Sequence, residues 1–370
     1  MAKASGGDLS MAPKQERVAL KFCAQVKRRV SPHARLAFGF FFALGLTLGP
    51  IAQTHAATLT VQNTNDNGAG SLRQAIADAA SGDTIVFDKA AMDGQTIVLS
   101  SFTNDTGTTT QFGASAFFIT GGKALTIDAT LNGLTQGVVL QRQNGSFFRL
   151  FDLDTGVSLT LRGLTLKGGR AQGGSGGTGS FKGGGGAAGM GGAIFNRGTL
   201  VIDRCTFVDN GAFGGNGTSD TAFSPVGGGG VGADGSNPNG GGPNAGAGFL
   251  MGSDPGGAGG FGGGGGGAFF GGGSGGFGGG GGTGYLGGGA GGFGGGGGGS
   301  GEAGVGGSGG FGGGNGIYLG LNTTSGGGGA GMGGALFNYD GAVTILNSTF
   351  ANNFAQFGVG GGSGATNGSR

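Results

Sequence analysis

Of 370 residues, 106 are glycine, 29 are phenylalanine, none is tryptophan and only 10% are charged. Glycine costs about 1 kcal/mol at each helical position, which excludes an ordinary helical enzyme; collagen is excluded because glycine does not recur every third residue and prolines number seven. The net charge of +2 divides into a basic leader and an acidic remainder, with no Lys or Arg between Arg204 and Arg370, so no stripe of cations for nucleic acid is expected beyond the leader.

The leader comes first. Lys27-Arg28-Arg29 and Arg35 precede an apolar run, Leu36 to Leu48, which Pro50 breaks. Thr54-His55-Ala56 then offers small residues for a signal peptidase. This order predicts a secretory signal over 1–56, with Met1 or Met11 as the start and cleavage after Ala56. The run is short for a membrane span, which needs about 20 residues. Cleavage would remove both histidines, His33 and His55, and Cys23. The mature chain then has no base for a Ser-His-Asp or Cys-His arrangement and no zinc site of the usual kind. No catalytic, cofactor-binding or metal-binding residue is therefore assigned, and no cofactor is expected.

Strands are expected next. Thr58–Val61, Thr84–Phe87, Thr96–Leu99, Leu125–Ile127 and Val138–Leu140 read as short apolar or alternating runs. Between the first two, Leu72, Ile76 and Ala79 share one face of a helix over 71–80, with Ser71 as its N-cap. No second helix is expected.

A repeat follows. Leu159–Leu166, Leu200–Phe207 and Val343–Phe350 superimpose. Gly189–Asn196 matches Gly331–Asn338, and Phe207–Asn210 matches Phe350–Asn353. Leu200, Ile202, Cys205 and Phe207 alternate inward on two short strands with a corner at Asp203-Arg204. Phe195 with Ala193 would form a third after the Gly-Gly bend. Three short strands per turn, stacked on equivalent turns, make a parallel β-helix. Leu166, Phe207 and Phe350 would share an inward column, Thr165, Thr206 and Thr349 an outward ladder, and Asn196 and Asn338 matching corners. The fold class is thus all-β, with a short N-terminal capping helix. The β-helix would occupy 57–212 and 330–357, separated by a Gly-rich low-complexity insertion over 213–329 and followed by a Gly-rich tail, 358–370.

Gly-Gly-Ala-Ile at 191–194, Gly-Gly-Ala-Leu at 333–336 and the Phe-x-x-Asn motifs at 207–210 and 350–353 resemble repeats of the polymorphic outer-membrane protein family. Gly70–Ile76 is similar to the CSLREA motif of bacterial surface β-helix proteins, with Gly70 for Cys and Gln74 for Glu. The resemblance implies a right-handed, pectin-lyase-like β-helix passenger on a bacterial surface, exported through a C-terminal outer-membrane barrel. No barrel sequence follows Asn353, so a fragment of a longer protein is expected. It implies no shared catalytic residues. The expected function is structural or adhesive, with a host surface, a glycan or another copy as partner. A β-helix polysaccharide lyase or glycoside hydrolase is the alternative.

In the insertion only Asp234, Asp254 and Glu302 are charged from Gly227 to Gly334. Phe261, Phe277 and Phe293 recur every 16 residues, and Phe311 follows. So few side chains predict a flexible loop extruded from a corner, in preference to an ordered polyglycine bundle. Two further features are weighed. Asp152 and Asp154 share a strand face, as the carboxylates of a glycosidase would; the alternation with Phe151 and Leu153 instead predicts an ordinary strand with both outward. A deep cleft joining several Asp residues to Arg149 or Arg162 would favour the enzyme. Cys205, aligned with Leu164 and Ser348, is read as a small buried residue and not a reactive thiol.

Overall fold

Short runs rich in β-branched and apolar residues, many of them stopped by glycine, asparagine or aspartate, cannot bury an apolar face alone and must stack on one another. In the computed structural model, which describes residues 56–103, 111–177, 183–220, 225–250, 254–301, 304–318 and 324–369, they do so as parallel sheets. The predicted secretory signal lies outside the described residues, apart from Ala56. No helix among the described residues is long and apolar enough to cross a membrane.

The largest sheet has six strands: Thr58–Val61, Thr84–Phe87, Ala124–Asp128, Ser158–Arg162, Thr199–Asp203 and Ala342–Leu346. A second has five: Thr96–Leu99, Val138–Arg142, Leu164–Lys167, Thr206–Val208 and Thr349–Ala351. A third has four: Ser115–Ile119, Arg149–Leu153, Ile194–Asn196 and Leu336–Asn338. In each, spatial order follows chain order and every pairing is parallel. The chain therefore visits the third, first and second sheets in turn and begins again one layer further on.

The register follows the sequence repeat residue by residue. Leu200 lies beside Leu159 and Val343, and Phe207 beside Leu166 and Phe350. Thr206 lies beside Thr165 and Thr349. Arg204 and Asn347 take positive φ at the corner between two strands, where Gly163 does the same. Two asparagine ladders satisfy backbone groups that the bends leave open. Asn196 Nδ2 donates to Asn338 Oδ1 at 2.6 Å, and Asn210 Nδ2 donates to Leu166 O at 3.0 Å and Asn353 Oδ1 at 2.9 Å.

Ser71 caps the helix Leu72–Asp78, accepting from Gln74 N at 3.2 Å. Leu72 and Ala79 are buried against the first layers. A second, four-residue helix, Lys89–Met92, was not expected; Asp88 caps it and Met92 is buried. Four residues are too few to carry a periodic apolar signal. Arg73, from the Gly70–Ile76 motif, pairs with Asp66 at 2.8 Å and lies over the Phe117 ring. Burial alone would raise the Asp66 carboxyl, but hydrogen bonds from Arg73, Ser101 and Ser100 outweigh it and hold the group at about 2.

The main core holds Ile127, Leu140, Phe151, Leu161, Leu166, Ile194, Ile202 and Phe207 among others. Phe207 is 0% exposed and stacks on Phe350 at 4.7 Å. Phe207→Asp should destabilise by several kcal/mol, because it buries an unpaired charge. Thr206→Asp, on the other strand face and half-buried, should cost far less. Equal losses in chemical denaturation would overturn the assigned strand faces.

The glycine tract departs from expectation. Its described residues are ordered, and their hydrogen bonds repeat with period three. Gly280 and Thr283 donate to Gly229 and Val226; Gly279 and Gly282 donate to Gly276 and Gly273; Gly278 and Gly281 donate to Phe293 and Gly296. Gly294, Gly295 and Gly296 likewise donate to Phe311, Gly292 and Gly186, and three residues later Gly297, Gly298 and Gly299 donate to Gly314, Gly289 and Gly183. Each segment thus sends donors in three directions, the pattern of extended threefold helices packed side by side. The expectation of a loop rested on the shortage of apolar side chains. It overlooked that backbone amides can be satisfied between neighbouring segments without any side chain.

Each 16-residue repeat is a hairpin of two such segments, turning at Phe-Gly. Gly262, Gly278, Gly294 and Gly312 take φ from +75° to +80° there. The rings of Phe261, Phe277, Phe293 and Phe311 stack in one column at 4.9, 4.9 and 5.2 Å.

Candidate functional site

The carboxylate pair lies on the strand Arg149–Leu153, of which every residue is buried. A strand with one apolar face would leave Asp152 in water. Here both faces are covered. Leu150, Phe151 and Leu153 belong to the main core, while the other face meets a second cluster of Phe112, Ala188, Met190, Phe195 and Val231. Phe261, Phe277 and Tyr339 pack against that cluster. On the neighbouring strand Ala193 and Ile194 belong to the main core, and Phe195 faces the second cluster.

Asp152 is 0% exposed, which corrects the expectation of an outward, solvated residue. Its Oδ2 accepts from Phe112 N at 3.0 Å and lies 3.8 Å from Arg149 Nη1. Its Oδ1 lies 3.8 Å from Arg197 Nη2, which is 3.4 Å from Asp154 Oδ1. Two carboxylates and two guanidiniums thus balance within one buried group. Arg149 also donates to Met190 O at 3.0 Å and to Phe112 O. Arg197 lies over the Phe112 ring at 4.5 Å. Burial raises the Asp152 carboxyl, while Arg149 and Arg197 pull it back; burial lowers both guanidiniums. Asp154 is half-buried and bonds Thr120 Oγ1 at 3.0 Å and Thr155 N at 2.7 Å.

Sequence spacing pairs Asp152 with Asp154 but does not reveal their cations. Arg149 is three residues upstream, and Arg197 follows the next strand of the same sheet, where Phe195 lies beside Asp152. The repeat alignment could have located Arg197. Arg162 is elsewhere, between Asp128 at 3.5 Å and Asp203 at 3.8 Å.

A cleft of about 390 Å³ opens on the far side of Arg149, bounded by Phe102, Phe147, Arg170, Gly174 and Asp234. It holds one carboxylate, Asp234, which accepts from Ser175 N at 2.7 Å. Acid/base glycoside chemistry uses two carboxyl groups across a bond, and Asp152 does not reach this cleft. No family model, no curated protein and no solved structure matches this chain. Its site must be read from geometry alone.

Cys205 lies where its alignment placed it. It is buried, its Sγ reaches Leu161 O at 3.4 Å, and burial pushes the thiol up to about 11. A thiol held there carries almost no thiolate at neutral pH. Among the described residues no group of three His, Cys, Asp or Glu side chains is placed to hold a metal ion.

Proposed function

We propose that this chain is an exported bacterial surface protein, a right-handed parallel β-helix that carries a polyglycine bundle and acts by display and adhesion. The right hand follows from the general preference of parallel crossovers. The observation that carries the non-catalytic reading is the pairing of Asp152 with Arg149 and Arg197 inside the protein. It turns the best candidate acid/base pair into part of a buried charge network that joins neighbouring strands. The surface left for contact is largely uncharged and bears exposed rings, including Phe293 and Phe311.

Export and adhesion are testable together. Secreted material should begin at Ala57 by N-terminal sequencing, and cells displaying the chain should adhere where cells lacking it do not. Retention of Leu36–Leu48 in a membrane fraction would replace the signal with an anchor. Polysaccharide cleavage lost on Asp154→Asn would replace adhesion with catalysis.

A further inference from the structure

A second cleft, of about 450 Å³, lies where four successive layers meet. Arg142 closes one strand of the second sheet, Lys167 closes the next, and Arg170 opens the short strand Arg170–Gln172, which belongs to a separate three-stranded sheet. Gln141, Asn144, Asp209 and Phe354 complete the walls. In sequence these cations are 25 and three residues apart among ordinary strand residues, so no cation cluster is visible there beyond the leader. The parallel register, with Gln141 beside Lys167, brings them together.

Two of the three are anchored by backbone. Arg142 Nε donates to Gly168 O at 2.6 Å and Nη1 to Gln143 O at 2.7 Å. Arg170 Nη1 donates to Gly169 O at 3.2 Å and to Asp209 O, and its guanidinium lies 4.9 Å from the Phe354 ring centre. These bonds fix both guanidiniums and leave N–H groups over on each. Lys167 is half-buried, and its ammonium has no partner among the described residues. The side-chain amides of Gln141 and Asn144 also lack partners there. Burial disfavours the charge on Arg142, and Arg170 repels it further. Three cations against the single Asp209 leave the cleft with an excess of positive charge, in a chain whose remainder beyond the leader is acidic.

We propose that this cleft binds an oxyanion group, sulfate or carboxylate, carried on an acidic glycan. This names the ligand class of the adhesive surface and rests on that reading. Preset guanidiniums and a free ammonium suit a discrete oxyanion. The two amides offer both donors and acceptors for neighbouring hydroxyls, and the exposed Phe354 ring supplies an apolar wall for a sugar face. A nucleic acid would need cations along a stripe, and the cluster is confined to one cleft.

The test is binding of the full chain to a sulfated heparin oligosaccharide and to oligogalacturonate, with neutral dextran as control. At least one acidic probe should bind, and dextran should not. Lys167→Ala should weaken that binding tenfold or more, whereas Lys89→Ala, at an exposed site elsewhere, should leave it unchanged. The basic leader contributes equally to every variant, so the difference belongs to the cleft. The probe that responds to Lys167 identifies the oxyanion. No binding, equal weakening by both substitutions, or equal capture of polyglutamate or single-stranded DNA would overturn the proposal. Binding by the purified chain without cell adhesion would keep the site and remove the adhesive role; adhesion unaffected by Lys167→Ala would do the reverse.

Discussion

Gly276→Ala should destabilise the protein by about 2 kcal/mol or more, while Gly271→Ala, five residues away, should leave it unchanged or slightly stabler. A Cβ built on Gly276 lies 1.7 Å from Gly260 O, and the atom it meets is backbone with no rotamer to change. The two segments must part, which breaks lateral hydrogen bonds such as Gly276 N to Gly263 O. Forcing extra volume into a packed interior costs about 1–3 kcal/mol even where side chains can adjust. At Gly271 the nearest heavy atom is 4.0 Å away, and φ there is not in the left-handed region. Alanine then mainly restricts the unfolded chain, a gain of about 0.4–1 kcal/mol. Urea denaturation followed by circular dichroism separates the outcomes. Identical midpoints for the two variants would mean that the tract does not pack as described.

The second large effect is expected at Asp152. Asp152→Ala leaves Arg149 without its carboxylate at a site that is 1% exposed. Removing one member of a buried ion pair costs about 3–5 kcal/mol, because the remaining charge has no water to return to. Arg149 cannot swing out, since it is tied to Phe112 O and Met190 O. Asp154→Ala should cost much less, since Asp154 is only half-buried and Arg197 keeps Asp152. The ratio of the two losses, measured by denaturation, is the check. Comparable small losses would mean that water reaches the group.

Much of the stack was legible because strand faces alternate with period two and the repeat is long enough to align. Leu159, Leu200 and Val343 could be placed side by side before any coordinates, and so could Phe207 and Phe350. Alternation says which residues share a face; it does not say what covers that face. Asp152 was therefore misplaced: what lies over it is Phe112, Met190 and Phe195, and the rings of Phe261 and Phe277 pack on that cluster. The glycine tract was misjudged for a related reason. A hydrogen-bond period of three leaves no mark where nearly every residue is glycine. The 16-residue spacing of Phe261, Phe277 and Phe293 was the one visible trace, and it marks the hairpin turns.

The period of three also creates an ambiguity that the turns must resolve. Sliding one segment by three residues, about 9 Å along its axis, would regenerate almost the same set of lateral bonds. A lattice of identical residues has no memory of its alignment. What distinguishes the native register is the phenylalanine at the first two bends: Phe261 meets Phe112 and Tyr339, and Phe277 meets Tyr339. A slipped hairpin would keep its amides paired and strand its ring in water. The rings act as fiducial marks on an otherwise featureless ruler, and their loss would yield mixed alignments well before it yielded unfolding.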